Sequence, residues 1–164
     1  MRTLKFATSD KNQLHFSAAV RKNVNDYFKE KGIPQTANYA MVLQTIVMLS
    51  LYIVPFILIL TIPMNIWVAL GLVIVMGLGT AGIGMSVMHD AVHGSYSRKE
   101  WVNKMFGSSM YLLGSNVFNW KVQHNILHHT NTNIDGFDGD IDSKGPIRLS
   151  HSAPYKKFHR YQHF

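Results

Sequence analysis

Met88-His89-Asp90-Ala91-Val92-His93-Gly94 and, further along, Trp120-Lys121-Val122-Gln123-His124-Asn125-Ile126-Leu127-His128-His129-Thr130-Asn131 decide how this chain is read. Five of its nine histidines fall in these two boxes, spaced H-x3-H and H-x3-H-H. On an α-helix, residues four apart project from one face about one turn apart. His89 pairs with His93 in this way and His124 with His128, while His129 lies roughly 100° beyond His128. Two such faces converging would make a metal site. Imidazole suits Zn, Cu, Fe and Ni, so the ligand type alone does not choose the metal. Five ligands exceed one tetrahedral site, and a two-metal centre short of some ligands fits the count better. A single pair would be an ordinary polar helix face; two pairs and a doublet beside a charge-free stretch point to function. A zinc protease needs Glu inside H-E-x-x-H. Here Asp90-Ala91-Val92 and Asn125-Ile126-Leu127 fill those positions, so hydrolysis of that kind is excluded.

The charge-free stretch sets the context. No Asp, Glu, Lys or Arg occurs between Gly32 and His89. The 47% hydrophobic content would suit a soluble core, but a soluble helix or strand must turn some face to water. The mean hydropathy near zero averages an apolar middle with two polar, basic flanks. The chain therefore reads as an all-α membrane protein. Met41–Leu60 and Ile66–Met88 are the two spans, joined by the uncharged turn Thr61-Ile62-Pro63-Met64-Asn65. Twenty residues rise about 30 Å, enough to cross the hydrocarbon. Pro55 is expected to kink the first span. Gly71, Gly77, Gly79, Gly82 and Gly84 in the second either admit a neighbouring helix or reflect membrane composition. Two crossings form a transmembrane hairpin, which returns His89 to the side of the N-terminus.

Residues 1–31 carry seven Lys/Arg against three Asp/Glu, and residues 90–164 carry nine against six. The positive-inside bias makes that common side the cytoplasm. No basic stripe or fold signature accompanies this charge, so no nucleic-acid partner is expected. The absence of cysteine excludes disulfides and thiolate chemistry and suits a reducing compartment. The opening residues lack the apolar run of a secretory signal.

Residues 1–37 read as a cytosolic lead with a short helix capped by Ser9 or Ser17 and stopped by Gly32-Ile33-Pro34. Phe16, Val20, Val24, Tyr27 and Phe28 form its stripe, lying on the membrane surface or packed on the cytosolic cap. Ser95 to Phe118 is amphipathic and too polar for a third crossing; it reads as interfacial or partly re-entrant helix, which keeps both boxes cytosolic.

At the boxes the likeness becomes specific. H-D-A-V-H-G-S-Y-S followed by N-W-K-V-Q-H-N-I-L-H-H-T-N-T-N resembles the membrane fatty acid desaturase family, nearest to bacterial acyl-CoA and acyl-lipid desaturases of the linoleoyl-CoA type. The likeness runs from about residue 40 to the end, making 38–164 a partial desaturase domain. It implies two iron ions, held by His89, His93, His124, His128 and His129, with O2 as co-substrate. It also implies Trp120 as a lining residue of the acyl tunnel, although Trp120 equally suits an interfacial anchor. Desaturation attacks an unactivated C–H bond, which offers no acid or base handle, so metal-activated O2 must do the work. The protein then contributes ligand geometry, partners for the rings and exclusion of water. Asp90, Gln123 and Asn125 are placed to bind ring N–H groups. The implied partners are a fatty acyl substrate (acyl-CoA or acyl-lipid), the lipid bilayer, and an external electron donor of ferredoxin or cytochrome b5 type. A separate donor is expected because no cytochrome b5-like segment precedes the hairpin.

The chain also departs from the family. A third histidine box, expected well beyond a further helix pair, is missing, so the chain reads as an N-terminal fragment not expected to be active alone. His159 and His163 form another H-x3-H, where the family's next membrane helix begins, and are expected to stand apart from the iron. Phe158, Tyr161 and Phe164 are the aromatic anchors leading into that helix. Asp135, Asp138, Asp140 and Asp142 alternate like a calcium loop, but Ser143 stands where Gly is required, and the better reading is a solvated acidic loop. His15 and His151 read as surface histidines. A related di-iron hydroxylase acting on alkanes, sterols or carotenoids would use the same boxes. A non-catalytic protein binding haem or metal is the alternative from another class, though haem takes one or two axial histidines.

Overall fold

The computed structural model describes residues 11–141 and 147–162, and these are helical with no strand among them. Ser9, Asp142, Ser143, His163 and Phe164 lie outside the described residues. The first helix, α1, spans Lys11–Lys31. Ser17 sits inside it rather than at its start, which removes Ser17 as the cap. The helix closes as the sequence suggests: Gly32 takes φ +63°, and the amides of Gly32 and Ile33 donate to the carbonyls of Lys29 and Phe28. That bond pair is the glycine-terminated helix end that only a residue tolerant of left-handed backbone forms cheaply. Phe16, Val20 and Val24 remain exposed, so the apolar stripe of α1 is not packed onto the described part of the chain.

Two long helices follow. α2 runs Tyr39–Thr61, with Asn38 as its cap accepting from the Met41 amide at 3.0 Å. It stays helical through Pro55. α3 runs Ile66–Gly82, and its cap Asn65 accepts from the amides of Trp67 and Val68, each at 3.0 Å. The helix continues as a π-helical turn, Ile83–Val87, and then as α4, Met88–Val92. The unbroken rod Ile66–Val92 is therefore 27 residues, about 40 Å long. It outlasts the expected end at Met88 and carries His89 within its last turn. Both rods are long and apolar enough to cross a membrane. They pack side by side in opposite sequence order. A Cβ on Gly79 would stand 2.7 Å from the Tyr52 nitrogen, and one on Gly82 2.1 Å from Met48 Sδ. Gly71 and Gly77 face open space, so only part of the glycine stripe serves close approach.

The buried core lies where these rods meet the remainder of the chain. It comprises Ile83, Val87, Met88, Val92 and Met110, with Met48, Leu49, Tyr52, Phe106, Leu113, Val117 and Trp120 packed around it. Each such side chain contributes about 1.5–3 kcal/mol when fully buried. Box 1 is thus built onto the buried apolar core of the described residues. After Gly94 (φ +75°) the chain folds back through α5, Glu100–Gly107, and a 3-10 turn, Ser108–Leu113. A Cβ on Gly107 would meet Val92 Cγ2 at 3.1 Å, so α5 lies close against α4. Tyr52 donates its hydroxyl to the Leu112 carbonyl at 2.9 Å and ties this return to α2. A short α6, Val117–Trp120, capped by Asn116, leads into a second π-helix, Lys121–His128, and a last turn α7, His129–Asn131.

Candidate metal centre

Box 2 is π-helical rather than α-helical, which corrects the geometry expected from its spacing. In an α-helix, a residue five positions on lies about 140° round the axis. Hydrogen bonding from i to i+5 widens the turn, so residues four and five apart fall on either side of the starting residue. His128 and His129 consequently both face His124, with ring centroids 4.9 Å away in each case. Box 1 meets them from α4. His93 lies 5.3 Å from His124 and 4.9 Å from His129, and His89 lies 5.3 Å from His124 and 4.5 Å from His93. All five box histidines therefore form one cluster. Among the described residues, potential ligand atoms gather within 4.8 Å in two groups, His89-His93-His124 and His124-His128-Asp140, and His129 joins the cluster by ring contact alone.

The rings are held from outside and open inside. His89 Nδ1 lies 3.1 Å from Asp90 Oδ1. His124 Nδ1 lies 2.6 Å from Asp140 Oδ2, and His128 Nδ1 lies 2.8 and 3.0 Å from the two oxygens of Asp138. The Nε2 atoms of His93 and His124 are buried without a hydrogen-bond partner. Leaving such a nitrogen unpaired costs about 1–3 kcal/mol, and a cation between the boxes would satisfy both. Neutral imidazole is the form a metal requires. His93 is biased that way, its pKa lowered by burial and by repulsion from His89, His129 and His124, against a small opposing effect of Asp90. A donor set of imidazoles, two of them with buried and unpartnered Nε2 atoms, fits iron, and equally the other borderline metals.

Asp138 and Asp140 correct the solvated-loop reading. The Asp138 side chain is wholly buried (0% exposed). Burial raises its pKa, but hydrogen bonds from His128 and from the amides of Asn133 and Asp140 outweigh this and hold it below the ordinary carboxylate value. Asp135 alone remains an exposed loop carboxylate among the three described. The one cue in the sequence was position: alternate acids follow directly on the histidine doublet. Gln123 donates to Asp140 Oδ1 at 3.2 Å rather than to a ring nitrogen. Asn125 makes no bond to a histidine, and its Oδ1 is buried without a partner. Trp120 stacks on His124 at 4.3 Å and meets His89 and His93 edge-on at 5.7 and 5.5 Å. His159 belongs to the 3-10 turn Lys157–Tyr161. It accepts from the Lys156 amide at 3.0 Å and packs on Tyr155 and Phe158. His15 and His151 are exposed.

Comparison with known proteins supports the same grouping. The fatty acid desaturase family matches residues 64–164. The chain is 35% identical over 149 residues to the sn-1 linoleoyl-lipid 6-desaturase of Arthrospira platensis, covering 91% of this chain and 40% of that protein. It is 32% identical over 163 residues to the acyl-lipid (8-3)-desaturase of Physcomitrium patens, covering 98% and 34% respectively. The sn-1 linoleoyl-lipid 6-desaturase of Synechocystis is 32% identical over 149 residues, covering 91% and 42%. The chain thus spans less than half the length of the curated relatives it matches. No solved structure matches it. With its two histidine boxes closing on one cluster inside the matched region, the chain belongs to the fatty acid desaturase family.

Proposed function

We propose that this chain contributes a transmembrane hairpin and two histidine boxes to a di-iron fatty acyl desaturase. The observation carrying this reading is the convergence of five imidazoles from two segments, with two buried Nε2 atoms facing no partner. His89, His93, His124, His128 and His129 are the proposed iron ligands, with further donors completing a two-metal set. When bound, iron supplies activation of O2 for removal of two hydrogens from an acyl CH2–CH2 unit. Two electrons come from an external donor and two protons from solution, and the O2 leaves as two waters. The protein's part is to fix the orientation of the rings, leave the buried Nε2 atoms of His93 and His124 free to bind, and exclude water from the site. Trp120, half-buried against three of the rings, is proposed to meet the acyl chain beside the metal.

The relatives named above act on acyl-lipids, which favours an acyl-lipid substrate over acyl-CoA. The outward apolar side chains of α2 and α3, such as Ile46, Phe56, Trp67 and Leu78, would face lipid. The basic flanks would place the histidines on the cytoplasmic side. Iron quantification on the purified full-length polypeptide tests the reading. About two irons per chain supports it, and haem absorbance in place of non-haem iron would sink it. Fatty-acid profiling of cells expressing the full-length polypeptide should show a new double bond, and His128→Ala should abolish it.

A further inference from the structure

We propose that Asp138 and Asp140 are positioning residues that decide which nitrogen of His128 and His124 is offered to the metal. The inference rests on the di-iron reading above and concerns residues outside the box motifs. Imidazole can bind a metal through either nitrogen, and the hydrogen bond made by the other one sets the choice. Metal–nitrogen and metal–oxygen lengths near 2.1 Å put two ligand atoms about 3 Å or more apart around one ion. The His124–Asp140 and His128–Asp138 contacts of 2.6 and 2.8 Å are shorter than that. They are charge-assisted hydrogen bonds with Nδ1–H donating, not two halves of a metal site. That tautomer leaves the Nε2 lone pair of each ring directed away from the carboxylate, and for His124 this nitrogen is buried without a partner.

The two carboxylates are held differently. Asp138 is fixed by backbone: its Oδ2 accepts from the Asn133 amide at 2.8 Å and its Oδ1 from the Asp140 amide at 3.0 Å. The turn providing those amides is stapled to the end of box 2. Thr132 Oγ1 donates to the His128 carbonyl at 2.7 Å, Asn131 Nδ2 donates to the Leu127 carbonyl at 2.9 Å, and the Ile134 amide donates to the Asn131 carbonyl at 2.9 Å. Asn133 and Gly136 supply the positive φ angles, +64° and +74°, that turn the chain back. Asp140 is held more softly, by the exposed Gln123 amide at 3.2 Å, and stands 3.7 Å from His128 Nδ1 as well. Every group facing Asp138 is a donor. An Asn there would set its own N–H against one of them, whereas an Asn at 140 can present oxygen to His124 and its amide to a rotated Gln123.

The test uses the full-length, iron-loaded polypeptide, with iron per chain and the rate of ferrous iron loss to a chelator as readouts. Loss of such an orienting partner weakens metal binding by about 10–100-fold. Asp138→Ala and Asp140→Ala should release iron faster by about that factor. Asp140→Asn should restore most of the retention, and Asp138→Asn should not. The Mössbauer quadrupole splitting of the retained iron should change in the alanine variants, which a purely structural role would not produce. If Asp138→Ala fails to fold by size exclusion, the Asp140 pair decides alone. Wild-type release in Asp140→Ala, or equal release in Asp140→Ala and Asp140→Asn, overturns the proposal. A wild-type protein without iron overturns the di-iron reading itself, which separates the two failures.

Discussion

Thr45 and Tyr96 share a hydrogen bond of 2.9 Å between two buried hydroxyls, one inside α2 and the other three residues after box 1. Thr45 Oγ1 also lies 2.9 Å from the Met41 carbonyl, to which it donates, so Tyr96 donates to Thr45. The backbone carbonyl of Tyr96 accepts from the Ala37 amide, and the loop after box 1 is thereby pinned to the start of α2. Thr45→Val leaves a buried donor unmet and should cost about 1–3 kcal/mol; Tyr96→Phe, which removes the donor, should cost about 0.5–1.5 kcal/mol. Thermal unfolding of the two single variants and the double variant checks this, with a double-variant loss smaller than the sum of the singles expected for a coupled pair.

At Gly79 the backbones of α2 and α3 lie against each other, and a Cβ there would enter the Tyr52 backbone. Gly79→Ala should lower stability by about 1–3 kcal/mol, since backbone cannot step aside as a flexible side chain can. Gly71→Ala should be neutral or slightly stabilising, because nothing lies near it and Ala is the better helix former by about 1 kcal/mol. Thermal shift in detergent on both variants separates them. Equal behaviour would show that the helices do not meet at Gly79.

Trp120 touches three of the five clustered histidines, and each aromatic ring pair is worth about 0.5–1.5 kcal/mol beyond its buried area. Trp120→Ala should speed iron release and lower the melting temperature. Trp120→Phe, which keeps a ring face over His124, should recover most of both. If Trp120 also meets the acyl chain, Trp120→Phe should alter the product profile while iron content stays at the wild-type level.

The all-helical class and the two long apolar helices were legible because a charge-free run of that length has few soluble solutions. The end of the second helix was not. Met88, Ala91 and Val92 face the core and carry the helix on to Val92, past the first histidine of its box. The five clustered histidines were legible as residues, but not the way His129 joins them, because a change from i+4 to i+5 bonding leaves no trace in side-chain chemistry. The polar neighbours of Asp138 in sequence suggest a solvated side chain; its burial arises from a turn that folds it under His128. Gln123 sits next to a box histidine in sequence, yet its partner is the carboxylate that holds the ring, not the ring itself.

Metal removal should leave the fold standing. The buried apolar core contains none of the box histidines, so the helices do not depend on the cluster for their packing. Chelation should keep the far-ultraviolet helical signal and raise hydrogen exchange in residues 121–141 alone. A global loss of helicity on chelation would show that the histidine cluster, and not the apolar core, holds the helices together.

The widened turn over Lys121–His128 also bears on how such a centre is altered. An α-helical pair with one residue added to its turn presents a third imidazole on the same side as the first two. Removing a single residue between His124 and His128 would leave the rings at i, i+3 and i+4, which the tighter α-helical winding also gathers on one side, so the shortened box would keep its three rings together without the widened turn. Spacing and winding are therefore matched in the second box: the wide turn gathers H-x3-H-H as the tight one would gather H-x2-H-H.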